Sequence, residues 1–198
     1  KLFNQSMKYT EETAEEAIQL AQRLQSNLGG TNILKTLDDI FKEKPIQGQR
    51  QIFIMTDGEV SDVEHVLELI EKNSIENRCF TIGIGRGSDA GLVEGIANIT
   101  GGKCDFVQEG DMISEKVIPQ LQSSFQPSLK CVEVHVENKD SFEILPFPIP
   151  SINANGAIPL FLCTKKENKE SEWSIMINGL YGEQSIEIPI ENIEIIEN

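Results

Sequence analysis

Basic side chains are scarce in this sequence: Lys and Arg together number 17 against 32 Asp and Glu, a formal net charge of −15. A surface of that sign repels polyphosphate and anionic lipid headgroups, so neither nucleic acid nor a membrane surface is expected as a partner. Long apolar runs are missing too, and nothing approaches the roughly 18 residues needed to span a bilayer. The four cysteines, Cys79, Cys104, Cys131 and Cys163, lie far apart with no C-x-x-C pair, which excludes a locally built zinc knuckle or thioredoxin-like site. Cys79, Cys104 and Cys131 sit beside apolar residues in strand-like runs, where a thiol serves as a small buried hydrophobe. That usage favours a reducing, intracellular (cytoplasmic) compartment over secretion. What remains is ordinary: 39% hydrophobic and 25% charged residues in a chain of 198, between one large domain and two small ones. It starts at Lys1 with no initiator Met or apolar leader, which predicts an internal piece of a longer protein.

Up to about Phe125, helical and strand patterns alternate. Thr10-Glu11-Glu12 supplies an N-cap and two first-turn carboxylates for a helix whose apolar face is Ala14, Ala17, Ile18, Ala21 and Leu24, stopped by Gly29-Gly30. A second helix is predicted from Thr31, with Ile33, Leu34, Leu37, Ile40 and Phe41 as its stripe and Pro45 and Gly48 as its end. Gln51 to Met55 is short and evenly apolar, the pattern of a strand buried on both faces. Ser61-x-x-Glu64 has the spacing of a capping box before a third helix. Cys79 to Ile84 is the next strand, Asp89 to Ile99 a helix, Lys103 to Val107 a strand, and a last helix starts near Asp111. Regular alternation of this kind implies right-handed crossovers: an α/β, Rossmann-like, mainly parallel sheet with helices on both faces.

After Gln126-Pro127-Ser128 the period falls to two. Val132, Val134 and Val136 alternate with Glu133, His135 and Glu137; Trp173, Ile175 and Ile177 follow, then Ile186, Ile188 and Ile190. Punctuation at Pro146, Pro148, Pro150, Asn155-Gly156, Asn178-Gly179 and Tyr181-Gly182 predicts antiparallel strands joined by turns. The expected division is therefore 1–126 for the α/β part and 127–198 for a β-sandwich-like segment. Charge does not separate them, since residues 1–127 hold 12 basic and 20 acidic side chains and residues 128–198 hold 5 and 12.

Chemistry concentrates at Met55-Thr56-Asp57-Gly58-Glu59, which puts a carboxylate at the C-terminal end of a buried strand, the edge where open α/β sheets bind ligands. Thr31 is a second polar group able to reach that edge. A carboxylate, a hydroxyl and water are hard oxygen ligands suited to Mg²⁺. The same residues equally suit an ordinary helix cap and an ordinary Asp-Gly turn.

Gly29-Gly30-Thr31-Asn32-Ile33, Ile52-Phe53-Ile54-Met55-Thr56-Asp57-Gly58-Glu59-Val60, Phe80-Thr81-Ile82-Gly83-Ile84-Gly85 and Ile99-Thr100-Gly101-Gly102 stand in the order and spacing of the von Willebrand factor A domain. The resemblance covers roughly residues 1–125. It is closest to the branch of inter-alpha-trypsin inhibitor heavy chains and the intracellular von Willebrand A domain-containing protein 5 group. It implies a non-enzymatic protein-binding module with a metal-ion-dependent adhesion site, in which Mg²⁺ recruits an acidic side chain of a protein partner. By resemblance Thr31 is the metal-facing threonine, Asp57 the aspartate of the Thr-Asp-Gly turn, and Lys1-Leu2-Phe3 part of the family's third strand. The family's main signature, Asp-x-Ser-x-Ser on the first strand, occurs nowhere in these residues; its place would be upstream of Lys1. The resemblance thus implies an N-terminally truncated domain whose metal edge is incomplete, with no metal bound by this piece alone. Upstream strands of the parent chain would complete both halves.

Two other readings compete. One is a scaffold of the same fold that never uses the metal edge. The second is a nucleotide-cofactor enzyme, using NAD or FAD, built on Gly85-Arg86-Gly87-Ser88-Asp89-Ala90, a G-x-G-x-x-A run between strand and helix with Asp105 about 20 residues on. Against it, Asp105 falls inside a short strand. His65, between Glu64 and Glu68, is expected on a solvated helix face, and His135 on the polar face of a strand, with no nucleophile beside either. Glu11, Glu12, Glu15 and Glu16 form a favourable N-terminal charge cluster on an exposed face.

Overall fold

The computed structural model describes the chain apart from residues 1, 4, 26–29, 31, 47, 59, 61, 137–141, 148, 150, 154–156, 165–173, 182–183 and 191–198. Helix α1 (Glu11–Arg23) starts where Thr10 and Thr13 exchange capping hydrogen bonds, each hydroxyl accepting the other's amide. No residue of α1 is buried, so its apolar stripe finds no cover among the described residues. Leu2 and Phe3 are not in a strand. Helix α2 (Ile33–Phe41) is capped by Asn32, whose Oδ1 accepts the Lys35 amide at 3.1 Å, rather than starting at Thr31. Asn and Asp caps compete well with Thr because their carbonyl oxygen reaches the third helical amide.

Three strands, β1 (Arg50–Thr56), β2 (Asn77–Ile84) and β3 (Cys104–Val107), form a parallel sheet in the order β1-β2-β3. Between them run α3 (Val63–Lys72) and α4 (Ala90–Thr100), and α5 (Ile113–Ser124) follows β3. The predicted capping box of α3 is replaced by Asp62 as N-cap, without a side-chain bond to the backbone; Ser61 lies outside the described residues. Asp89 caps α4 by accepting the Leu92 amide at 2.9 Å, and Gly101, at φ +68°, ends it in the left-handed region.

The core lies on one face of this sheet, where Leu37, Val66, Ile70, Cys79, Leu92 and Ile96 pack with Ile52 and Ile54 against them. On the opposite face α5 covers β2 and β3. Phe53 and Met55 of β1 remain exposed there, so β1 is closed on one face instead of two. The strand's evenly apolar composition had no means of showing which neighbours exist.

The all-β half comprises β4 (Ser128–Val136), β5 (Phe142–Leu145), β6 (Ile152–Asn153), β7 (Phe161–Thr164), β8 (Ile175–Tyr181) and β9 (Gln184–Ile190). An antiparallel sheet runs β6-β4-β8-β9, and β5 pairs separately with β7. Val132, Val136 and Ile175 are buried, as their alternation predicts. Two expectations change. Asn178-Gly179 lies inside β8, paired with Glu187 and Ile186 of β9, instead of making a turn, and Leu129 packs so closely that a Cβ on Gly179 would come within 2.6 Å of it. Asn155-Gly156 and Trp173 are outside the described residues. Cys131 is exposed, not buried: the register slips by one residue between Lys130 and Glu133, and Cys131 takes φ +47° in the bulge. All four thiols are free; Cys79 is buried and its thiol pushed up to about 12 by desolvation, while Cys104 is half-buried and Cys163 exposed.

Candidate ligand-binding edge

Parallel pairing brings the C-terminal ends of β1 and β2 to one edge, with Thr56 opposite Gly83. Asp57 follows Thr56 and is exposed, and no hydrogen bond or ion pair engages its carboxylate among the described residues. The next loop begins at Gly85, whose φ of +73° only glycine adopts freely and whose amide donates to the Val107 carbonyl at 2.8 Å. Gly87 comes against Asp57 itself: a Cβ there would sit 3.2 Å from the Asp57 carbonyl oxygen. Asp57 and the loop 85–89 therefore share one surface, which is where the sequence places a ligand. Thr31, the other expected site residue, lies outside the described residues, so its position relative to Asp57 is not part of this geometry.

Mg²⁺ demands near-octahedral oxygen coordination, and one carboxylate supplies a single position of it. Among the described residues no three His, Cys, Asp or Glu side chains converge to hold a metal. The described part of the edge does not by itself fit the ion.

The loop 85–90 has an account that needs no cofactor. Asp89 already occupies the N-terminus of α4 with a carboxylate, where a pyrophosphate would have to sit. Asp105 faces α5, accepting from Lys116 Nζ at 3.0 Å and from the Phe106 amide at 2.8 Å, and pairs in register with Ile82 rather than standing at a strand end. Gly83 is small because the Phe106 ring and the Ser88 hydroxyl would each lie 2.7 Å from a Cβ.

A feature the sequence reading passed over is the Asp62–His65 pair at the start of α3, with Oδ1 and Nδ1 2.5 Å apart. Asp62's hydrogen bond and charge raise the His65 pKa, with Glu68 and Glu64 adding smaller charge effects. The pair borders a groove between α2 and α3 that also includes Asn32, Lys35, Asp38 and Glu68. The i,i+3 spacing of Asp and His at a helix start was the available signal. His135 stays at the surface, 3.4 Å from Glu133.

A model of the von Willebrand factor type A domain matches residues 1–106. The chain belongs to this family. Von Willebrand factor A domain-containing protein 5A of Rattus norvegicus is 39% identical over 138 residues, covering 69% of this chain and 17% of that protein. Protein 5B1 of Homo sapiens is 32% identical over 149 residues, covering 75% of this chain and 12% of that protein. The chain thus spans less than a fifth of the length of these relatives. Among solved structures, a von Willebrand factor type A protein from Catenulispora acidiphila superposes with a TM-score of 0.62 at 14% identity, over 94% of this chain and 52% of that one. A likeness at that identity bears on fold, and it extends through the all-β half. Domains of the von Willebrand A family are generally protein-interaction modules and not enzymes. No helix among the described residues is long and apolar enough to cross a membrane.

Proposed function

We propose that this von Willebrand A chain is a protein-interaction module, with residues 1–126 as the A domain and 127–198 as a sandwich-like companion. Its partner is engaged at the C-terminal edge of the parallel sheet. The observation that carries this reading is Asp57, an exposed carboxylate at that edge with no partner among the described residues, flanked by a loop whose glycines bring the backbone close. In the parent protein Asp57 contributes a carboxylate, and Thr31 a hydroxyl, to a divalent cation such as Mg²⁺, and residues from outside this chain complete the coordination. A hard cation held there would offer open positions to an acidic side chain of the partner.

Calorimetric titration of the full-length parent protein with Mg²⁺, beside its Asp57→Ala variant, tests the reading. Loss of the charged ligand supplied by Asp57 should weaken Mg²⁺ binding at least about tenfold, equivalent to about 1.4 kcal/mol or more. The 198-residue chain by itself should show no saturable binding. Equal Mg²⁺ affinity in variant and parent removes Asp57 from the site. An absence of Mg²⁺ binding in the parent instead favours the metal-independent scaffold.

A further inference from the structure

Helix α1 and the groove between α2 and α3 each lack something that the other has. The groove, about 620 Å³, takes its apolar lining from Leu34 and Leu69, both half-buried, and none of the residues around it belongs to α1. The two N-caps, Asn32 and Asp62, stand at its mouth, and Lys72 in the last turn of α3 stands at its far end. Helix α3 leaves the strand end that carries Asp57, so the mouth opens beside the candidate edge. Helix α1 has the apolar stripe Ala14, Ala17, Ile18, Ala21 and Leu24 and buries none of it: Ile18 is 50% exposed and Leu24, just past its end, 64%. An amphipathic helix laid over two others buries such a stripe in the groove between them, and alanines let the axes approach closely.

Charge is divided along both. On α1, Glu11, Glu12, Glu15 and Glu16 crowd the N-terminal half and Arg23 closes the other end. The groove is divided in the complementary sense, with the Asp62 carboxylate at the mouth and, at the far end, a Lys72 ammonium that is 73% exposed and held only by Glu68 at 3.8 Å. Residues 24–32 join the end of α1 to that mouth, so α1 entering the groove runs antiparallel to α2 and α3. The 10 residues of α3 span about 15 Å, which from Arg23 back along α1 reaches Thr13. This direction sets Arg23 beside Asp62 and the glutamates beside Lys72, and it opposes the dipoles of α1 and α3.

We infer that α1 is a strap, open in this structure, that closes into the groove between α2 and α3 with Arg23 at the mouth and its glutamates against Lys72. The link between α1 and α2 gives the contact the high effective concentration of an intramolecular pairing. Closed, the strap narrows the approach to the edge beside Asp57. That consequence alone rests on the partner-binding reading of the edge; the docking of α1 stands without it, since neither Asp57 nor Thr31 takes part.

Carbodiimide crosslinking tests the strap in the full-length parent protein without added Mg²⁺ or partner, because the reagent condenses a carboxylate with a touching amine into an amide, with loss of water. Mass spectrometry should find Glu12, Glu15 or Glu16 joined to Lys72. The link between Glu68 and Lys72, 3.8 Å apart in one helix, shows in every sample that the reagent reaches Lys72. Ile18→Asn alters a side chain that lies outside the core, and should lower the strap links about tenfold, the weight of burying one isoleucine, while the Glu68 link stays constant. In a mixture of heavy-isotope-labelled and unlabelled protein, each strap link should join peptides of one isotope type. The strap is overturned if α1 gives no link to Lys72, if the links are as abundant in Ile18→Asn, if they join mixed isotopes, or if α1 links only to lysines outside these 198 residues.

Discussion

The two faces of β2 are built on different principles. Toward α4, Cys79 and Thr81 meet Leu92, Val93 and Ile96, all buried, and the polar atoms present are matched locally: Thr81 Oγ1 donates to the Val93 carbonyl at 2.6 Å, and Thr100 Oγ1 accepts the Cys79 amide at 2.9 Å. Toward α5, Arg78, Phe80 and Ile82 meet a helix whose buried residues are Gln120 and Ser123, while its isoleucines Ile113 and Ile118 point outward. The α4 face is packed mainly by apolar side chains, whereas the α5 face adds buried polar side chains that bond to carbonyls. Volume tolerates no gap, whereas a polar contact can be exchanged for an apolar one when both partners go together.

The comparison is strained hardest by truncating an isoleucine on each helix. Ile96→Ala should lower stability by about 2–5 kcal/mol, because a 1% exposed side chain leaves a cavity in a closed cluster. Ile118→Ala, at a position 53% exposed, should stay within about 0.5 kcal/mol. Urea midpoints measured side by side decide this, and equal losses would mean that α5 is as closely packed as α4.

Polar exchanges sharpen it next. Thr100→Val keeps the shape but strands the buried Cys79 amide, for an expected loss of about 1–3 kcal/mol. Gln120→Met takes a donor from the Thr81 carbonyl, which costs stability, and removes a buried Oε1 that has no protein partner among the described residues, which restores it; with the two offsetting, the variant should fall within about 1 kcal/mol of the wild type. A larger loss for Gln120→Met than for Thr100→Val would reverse the assignment of the two faces.

The last effect concerns pH at the junction of the two halves, where Lys130 Nζ of β4 donates to the Ile75 carbonyl at 2.8 Å. Burial, helped by the nearby Arg78 charge and opposed by Cys131, pushes the Lys130 amine down to about 8 from its ordinary value of 10.5. The unfolded chain then holds the extra proton between these values, so the Lys130 contribution makes stability rise with pH from about 8 to about 10.5. Urea midpoints compared at both ends of that window should show a smaller rise in Lys130→Met than in the wild type. An identical rise in the variant would place the titration on another group.

Local features were legible in the sequence because their cause is local. Thr10 and Asp89 cap helices within a few residues of themselves, and Gly101 ends one by its own backbone freedom. Asp57 was legible for a related reason: a short apolar run followed by Asp-Gly fixes the end of a buried strand wherever that strand lies. The caps of α2 and α3 were misplaced by one residue because Thr31-Asn32 and Ser61-Asp62 each offer two suitable side chains in a row.

Sequence alone therefore determined the alternation of helices and strands between Glu11 and Ser124, the change from helical to alternating period near Gln126, and the place of Asp57 just after a strand end. Tertiary structure decided what long-range neighbours decide. Pairing with β9 placed Asn178-Gly179 in the middle of a strand, and a one-residue slip in pairing carried Cys131 to the surface. The reach of α5 left Phe53 and Met55 uncovered. The burial of Arg78 was invisible because it bonds to carbonyls as many as 48 residues away, and carbonyls carry no side-chain signature. A pattern records which residues prefer burial, but only the assembled sheet and helices determine which surfaces are present to bury them.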